Sequence, residues 1–556
     1  MTNHRLMGVL MSLLASSAPA LADTLIDNVN GLQVDKAGHL QRFTGVLIGN
    51  DGKVVRLLAA DERRPSGATR VDEHGRALLP GLIDAHGHVM DLGTAAITLN
   101  VTGTRSVSDL QQRLRSYAAA HPADAWIIGF GWNQELWPDR RYPTAADLDK
   151  IVSDRPISLE RVDGHALVAN SAAMKVAGVT SATRDPAGGK IERDAAGNPT
   201  GVFVDSAKAL IQGKVPALTA AQADRALTEA QNILLGYGVT AVGAMSTSVE
   251  DWNLYRRAGD AGRLQVRLIT YALGKPMKAV PHPTEWLYSD HLRMRGVKLF
   301  ADGALGSRGA WLKQPYSDKP DTHGLQFHSD AELLQLADAA AAQGFQVATH
   351  AIGDAANAQV LATYEQLAKK YPGDRRWRIE HAQILDPADI KRLAPAGIIA
   401  SMQPTHQTSD MNMAEARLGA RRLDGAYAWR TIAASGAHLA FGSDFPVESP
   451  NPFPGIAAAV SRQNPQGQPP GGWRPEERVT LAQAVAGFTR EAAYAGFAED
   501  RLGSLDPGHW ADFVLVDRDI SSATPVDLAE TKVFETWMGG KRVWQRSASE
   551  SAPPAR

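Results

Sequence analysis

Gly81-Leu82-Ile83-Asp84-Ala85-His86-Gly87-His88 is an apolar run that ends in two histidines one residue apart. In an extended strand, side chains at i and i+2 point to the same side. His86 and His88 then project together from one strand end, and Gly87 leaves the space between them clear. Neutral imidazoles are good ligands for zinc and similar cations. Taken alone, a His-x-His is more often a solvated pair in a loop. The rest of the chain favours the metal reading, because it repeats the pattern of an apolar strand ending in a metal-type ligand.

Seven further β-rich runs follow, at residues 239–242, 266–270, 297–300, 346–350, 377–381, 398–402 and 438–441. Helical patterns lie between them. Residues 220–237 put Ala226, Leu227, Ala230, Ile233 and Leu234 on one face. Residues 330–344 carry Leu333, Leu334, Leu336, Ala337 and Ala340 and stop at Gly344. Eight strands alternating with helices predict an α/β fold, a (β/α)8 TIM-like barrel over residues 81–499. The spacing breaks once, where about 150 residues separate the first strand from the second, too many for one helix. A large insertion after strand one, over residues 95–215, is the expected cause.

The two chain ends share another character. Residues 46–55 are two apolar runs around Asn50-Asp51-Gly52, a hairpin signal. Residues 512–517 and 533–537 are strand-like, and Gly539-Gly540 opens another hairpin toward Trp544. Neither end has enough strands for a core of its own. A small composite β-sandwich built from residues 23–80 and 500–546 is therefore expected. Residues 547–556, polar and Pro-rich, read as a disordered tail.

The chain has 556 residues, 44% hydrophobic and 21% charged, enough for two to three domains. A net charge of −2 implies neither a nucleic-acid partner nor an acidic surface. With no cysteine, disulfides, thiolate metal sites, Cys nucleophiles and a lipid-modified Cys anchor are excluded. His4 and Arg5 precede an apolar segment, residues 6–14, and small residues run to Ala20-Leu21-Ala22 before Asp23. Residues 1–22 thus read as a signal peptide cleaved after Ala22. The apolar segment is short of the roughly 20 residues that span a membrane. The mature chain is expected to be periplasmic or secreted and free of the membrane, with its oligomeric state open.

Chemistry in such a barrel sits at the C-terminal ends of the strands. There the sequence offers His86, His88, Lys298, His350, His381 and Asp444. Lys298 lies inside an otherwise apolar strand, and a buried ammonium costs several kcal/mol unless paired or neutralised. Its side chain can snorkel outward, pair with Asp302, or react with CO2 to give a carbamate, an anion able to bridge two cations.

Several stretches carry a family resemblance. They are Leu79-Pro80-Gly81-Leu82-Ile83-Asp84-Ala85-His86-Gly87-His88, Gly129-Phe130-Gly131-Trp132, Arg161-Val162-Asp163-Gly164-His165 and Val297-Lys298-Leu299-Phe300-Ala301-Asp302-Gly303. Further along are Thr349-His350-Ala351-Ile352-Gly353-Asp354, Arg378-Ile379-Glu380-His381-Ala382-Gln383, Gln403-Pro404-Thr405-His406 and Phe441-Gly442-Ser443-Asp444-Phe445-Pro446-Val447-Glu448. As a set they resemble the amidohydrolase superfamily, and more closely its amidohydrolase-3 branch, which includes N-substituted formamide deformylase-like proteins. The resemblance implies that His86 and His88 bind one metal and His350 and His381 a second. It implies two zinc ions bridged by carboxylated Lys298, with Asp444 binding the first metal and shuttling protons. One departure concerns substrate specificity. The branch commonly has Val-His-Asp after strand two, whereas here Val242 is followed by Gly243-Ala244.

The implied activity is hydrolysis of a non-peptide C–N bond, of amide or formamide type, in a small-molecule substrate. A metal-activated hydroxide attacks the carbonyl, and Asp444 acts as general base and then general acid. Cyclic amides, carbamates and esters are alternative substrates for the same hydroxide. A non-catalytic periplasmic binding or regulatory protein is the alternative outside enzymes. Trp132 is a candidate pocket wall, His165 a candidate substrate ligand, and His406 a candidate donor to the developing oxyanion.

Overall fold

The computed structural model describes residues 23–122 and 124–547, so the expected signal segment 1–22 and residues 548–556 of the expected tail lie outside the described residues. Eight strands form one sheet in chain order. They are Leu82–Gly87 (β1), Val239–Thr247 (β2), Arg267–Leu273 (β3), Leu292–Phe300 (β4), Gln346–Ala351 (β5), Arg378–His381 (β6), Ile399–Met402 (β7) and Leu439–Phe441 (β8). Every neighbouring pair is parallel. The ring closes between β8 and β1 through the turn after β8, where the Asp444 amide donates to the His86 carbonyl at 2.8 Å. The Ser443 amide and hydroxyl hold the buried Asp84 carboxylate at 3.1 and 2.6 Å. The predicted barrel is therefore present.

Local chemistry explains the helices around it. Thr219 and Gln222 form a capping box at the start of Ala220–Gly236, and Ser329 and Glu332 do the same for Asp330–Ala341. β2 and β4 extend furthest beyond the apolar runs. β2 continues through Gly243, a weak strand former, because the ladder to β1 needs the space. A Cβ on Gly243 would lie 2.2 Å from the Ala85 carbonyl oxygen. The Gly243-Ala244 departure thus goes with a close approach of β2 to β1. β4 begins earlier, at Leu292, because Arg293 and Arg295 interrupt the apolar run without ending the strand.

Between β1 and β2 the chain builds a separate six-stranded sheet. Its core includes Leu110, Leu114, Trp132, Trp137 and Leu148. Strands from both termini share an eight-stranded sheet, in which Phe513–Val516 pairs antiparallel with Ala77–Pro80. Only Gly81 separates that last strand from β1, so the terminal sheet leads directly into the barrel.

A buried ion pair fastens the same junction. Arg267 of β3 donates two hydrogen bonds to Asp512, at 2.6 and 3.0 Å, and Asp512 also accepts the Gly539 amide at 2.8 Å. Asp512→Ala strands a buried guanidinium and is expected to cost about 3–5 kcal/mol in chemical denaturation. The double variant Asp512→Leu with Arg267→Met should recover most of that loss. An unchanged denaturation midpoint in Asp512→Ala would show that the pair does not hold the junction.

Candidate metal centre

The C-terminal ends of β1, β4, β5 and β6 and the turn after β8 converge on one buried cluster. His86 and His88 leave β1 on the same side, as the i, i+2 spacing requires, with rings 5.5 Å apart. Their Nε2 atoms lie 3.3 and 3.1 Å from Asp444 Oδ1. The His381 ring is 4.9 Å from that of His86, 4.5 Å from that of His350 and 5.9 Å from that of His406. His406 sits in the first turn of the helix Pro404–Leu418, just after β7, with Nε2 3.8 Å from Asp444 Oδ2. His381 and Asp444 both have left-handed backbones, φ +75° and +59°. Such strain in non-glycine residues gathers where a fold aims side chains at a task.

Among the described residues, two groups have donor atoms that all lie within 4.8 Å of one another: His86, His88 and Asp444, and His381, His406 and Asp444. Asp444 Oδ1 and His406 Nε2 are buried without a hydrogen-bond partner. Buried polar atoms are almost always paired, and imidazoles facing one carboxylate form a donor set suited to a divalent cation. The residues therefore fit the metal that the sequence implies.

Lys298 projects from β4 into this cluster. It is 1% exposed, so it does not snorkel to solvent. Nor does it pair with Asp302, whose carboxylate accepts the amides of Ile352, Gly353 and Trp311 and lies 3.4 Å from His350 Nε2. That contact leaves Nδ1 as the His350 nitrogen available to a ligand. Lys298 Nζ is 3.4 Å from His86 Nε2. Burial pushes the Lys298 amine down to about 8, against the attraction of Glu380 and Asp444. Burial, with the Lys298 charge, takes His86 down to about 4, and burial likewise lowers His350 and His381. These three imidazoles are neutral at pH 7, the form that binds metals. Burial works against charge at Asp444, but the imidazoles around it, His86 first, hold its carboxyl well below the usual range.

The six expected ligands are thus brought together, and His406 joins them. His165 arrives from the insertion, its ring 6.0 Å from that of His350 and its Nδ1 2.8 Å from Asp205 Oδ1. Trp132 is a correction. It is fully buried in the core of the insertion, its indole N–H donates to the Leu159 carbonyl at 2.8 Å, and it backs Arg161 rather than lining the cluster. A strand covered on both faces buries an aromatic as readily as a pocket does, so the sequence alone did not separate the two.

Sequence reasoning overlooked Glu380, Arg378, Gln403 and Asp205. Glu380 accepts from His86 Nδ1 at 2.6 Å and is clamped by Arg378. Gln403 Oε1 lies 2.8 Å from His381 Nδ1. A signal for the first two existed: charged residues inside a buried four-residue strand, the same anomaly that marks Lys298. Asp205 lies 40 residues from its histidine and has no local signature.

Comparison with known proteins agrees with this geometry. Residues 70–544 match the profile of the Amidohydrolase family. The chain is 34% identical over 498 residues to "Protein LONG AFTER FAR-RED 3" of Arabidopsis thaliana, covering 86% of this chain and 84% of that one. It is 27% identical to N-substituted formamide deformylase of Arthrobacter pascens, covering 95% of this chain and 99% of that one. An uncharacterized metal-dependent hydrolase from Pyrococcus horikoshii superimposes with a TM-score of 0.73 at 27% identity, over 90% of this chain and 98% of that one. The chain belongs to the amidohydrolase family, in its amidohydrolase-3 branch.

Proposed function

We propose that this chain is a metal-dependent hydrolase of non-peptide C–N bonds, of amide or formamide type. The observation that carries the reading is the Asp444 carboxylate, buried, with an orphaned oxygen facing His86 and His88 and its other oxygen toward His406. In this reading His86 and His88 would hold one cation and His350 and His381 a second, with zinc as the metal, and Lys298, carboxylated to a carbamate, would supply an anionic ligand to them. Its neutral amine adds to CO2, forming an N–C bond and releasing a proton. A bound divalent cation supplies Lewis acidity, polarising a carbonyl and lowering the pKa of water from about 15.7 toward about 7.

The chain's own groups do the rest. Asp444, held ionised beside the histidines, would accept a proton from the attacking water as the C–O bond forms. It returns that proton to the nitrogen as the C–N bond breaks, so the amine leaves neutral. His406, whose Nε2 is buried and unpaired 3.8 Å from Asp444 Oδ2, would donate to the developing oxyanion. His165, steadied by Asp205, enters from the insertion. The relative named N-substituted formamide deformylase supports the formamide end of the substrate range. The reading also includes export, supported by the A-x-A-like site ending at Ala22.

The test is a panel of N-substituted formamides, acetamides, cyclic amides, carbamates and esters, with amine and acid release followed directly. Turnover of formamides or amides, lost to a chelator and restored by zinc, is expected. Turnover that survives complete metal removal, or that is confined to esters, would overturn the reading.

A further inference from the structure

A TIM-type barrel is ordinarily filled by layers of branched apolar side chains. Here a file of polar side chains runs through the interior from the metal cluster to the opposite end. It begins at His86, whose Nδ1 lies 2.6 Å from Glu380 Oε2. Arg378 donates to both Glu380 oxygens, at 2.7 and 3.1 Å. Arg378 also donates to the Ala85 carbonyl at 2.7 Å, the Ser401 hydroxyl at 2.8 Å and the Tyr271 hydroxyl at 3.0 Å. Tyr271 in turn donates to Gln346 Oε1 at 2.7 Å, and Gln346 Nε2 donates to the carbonyls of Ala495, at 2.9 Å, and Arg376. His86, Glu380, Arg378, Tyr271 and Gln346 are each no more than 1% exposed.

Gln346 is the first residue of β5, so the file ends at the N-terminal end of the barrel. There Ala495 closes the short helix Arg490–Ala495, which packs with Ile83, Ile269 and Ala348. A buried guanidinium–carboxylate pair is costly against an apolar filling of the same volume. Every link in this file is hydrogen-bonded, and such a network rigidifies what it holds. What it holds is a histidine of the metal cluster. A carboxylate behind a metal-binding imidazole fixes its tautomer and its aim.

Resting on the metal reading above, we propose that Tyr271 and Gln346 are positioning residues for the metal centre. They lock Arg378, Arg378 locks Glu380, and Glu380 holds His86 with Nδ1 as the donor and Nε2 free for the cation. Metal affinity is thereby set in part from the far end of the barrel, beside the helix Arg490–Ala495.

The experiment measures zinc dissociation constants of the full chain by competition with a chromophoric chelator, together with thermal midpoints of the metal-free proteins. Tyr271→Phe removes one hydroxyl and should weaken zinc binding about tenfold, and Glu380→Gln about a hundredfold. In the Glu380→Gln background, Tyr271→Phe should add no further loss, because it acts through Glu380. Gln346→Leu, which leaves the tyrosine in place, should weaken binding in the same direction and serves if Tyr271→Phe does not fold. Wild-type zinc affinity in a folded Tyr271→Phe or Gln346→Leu chain, with only the thermal midpoint lowered, would reduce the file to a structural role and overturn the proposal. Independent, additive losses would overturn it as well. A wild-type chain that binds no zinc would overturn the metal reading itself, a failure visible before any variant is compared.

Discussion

Asp444→Asn is expected to lower kcat by about 10²–10⁴-fold, the range for loss of a positioned acid–base group. The turn after β8 fixes this side chain from three sides. Its amide donates to the His86 carbonyl, its Oδ1 faces the Nε2 atoms of His86 and His88, and its Oδ2 looks toward His406. Asparagine keeps the shape and one acceptor oxygen, so the fold and the neighbouring histidines stay in place. It cannot take a proton from water or return one to a leaving nitrogen. The loss should therefore fall on kcat and kcat/KM together rather than on KM, the mark of an interaction made in the transition state. Steady-state kinetics on the best amide of the panel, with metal content measured in the same samples, make the comparison. Near-normal turnover with metal bound would remove Asp444 from the proton path.

Lys298→Met should produce two opposite effects. Met has a similar length without charge and no amine to react with CO2, so on the proposed reading the second cation should be lost. The metal-free protein, in contrast, should become more stable at pH 7. The Lys298 amine is lowered by burial from 10.5 to about 8 in the folded chain. Between pH 8 and pH 10.5 the unfolded chain holds a proton that the folded chain has released, so stability rises with pH across that window. Below pH 8 both states are protonated, and the folded chain bears the whole cost of the buried ammonium, about 3 kcal/mol. Methionine removes that cost. Denaturation of metal-free wild type and variant should show the variant ahead at pH 7 and the gap closing above pH 10.5. Loading both with zinc and bicarbonate should reverse the order, since binding then stabilises the wild type more. A metal-free variant that is less stable at pH 7 would show that Lys298 is paired in a way the geometry does not reveal.

The barrel was legible in the sequence because its strands are buried on both faces and so read as short apolar runs. Its ligands were legible because polar side chains that end or interrupt such runs stand out, as His86, Lys298, His350 and His381 do. The same logic failed where polar residues continue a strand. Arg293 and Arg295 hid the start of β4, and Gly243 hid the end of β2. Arg378 and Glu380 were quoted as part of a motif, yet their purpose depends on His86, almost 300 residues away in the chain. The Asp205 partner of His165 is likewise a product of topology, since the inserted sheet brings together strands with no shared local pattern. Trp132 failed in the other direction. Indole suits a pocket wall and a domain core equally, and only the bond to Leu159 decides for the core.

The central claim is that this buried cluster is a divalent metal centre, and elemental analysis tests it most directly. The purified protein, incubated with zinc and bicarbonate and then freed of loose ions, should carry about two metal ions per molecule. In Lys298→Ala, treated alike, the content should fall. No bound metal in the wild type under these conditions would contradict the account, and the orphaned Asp444 and His406 atoms would need another partner.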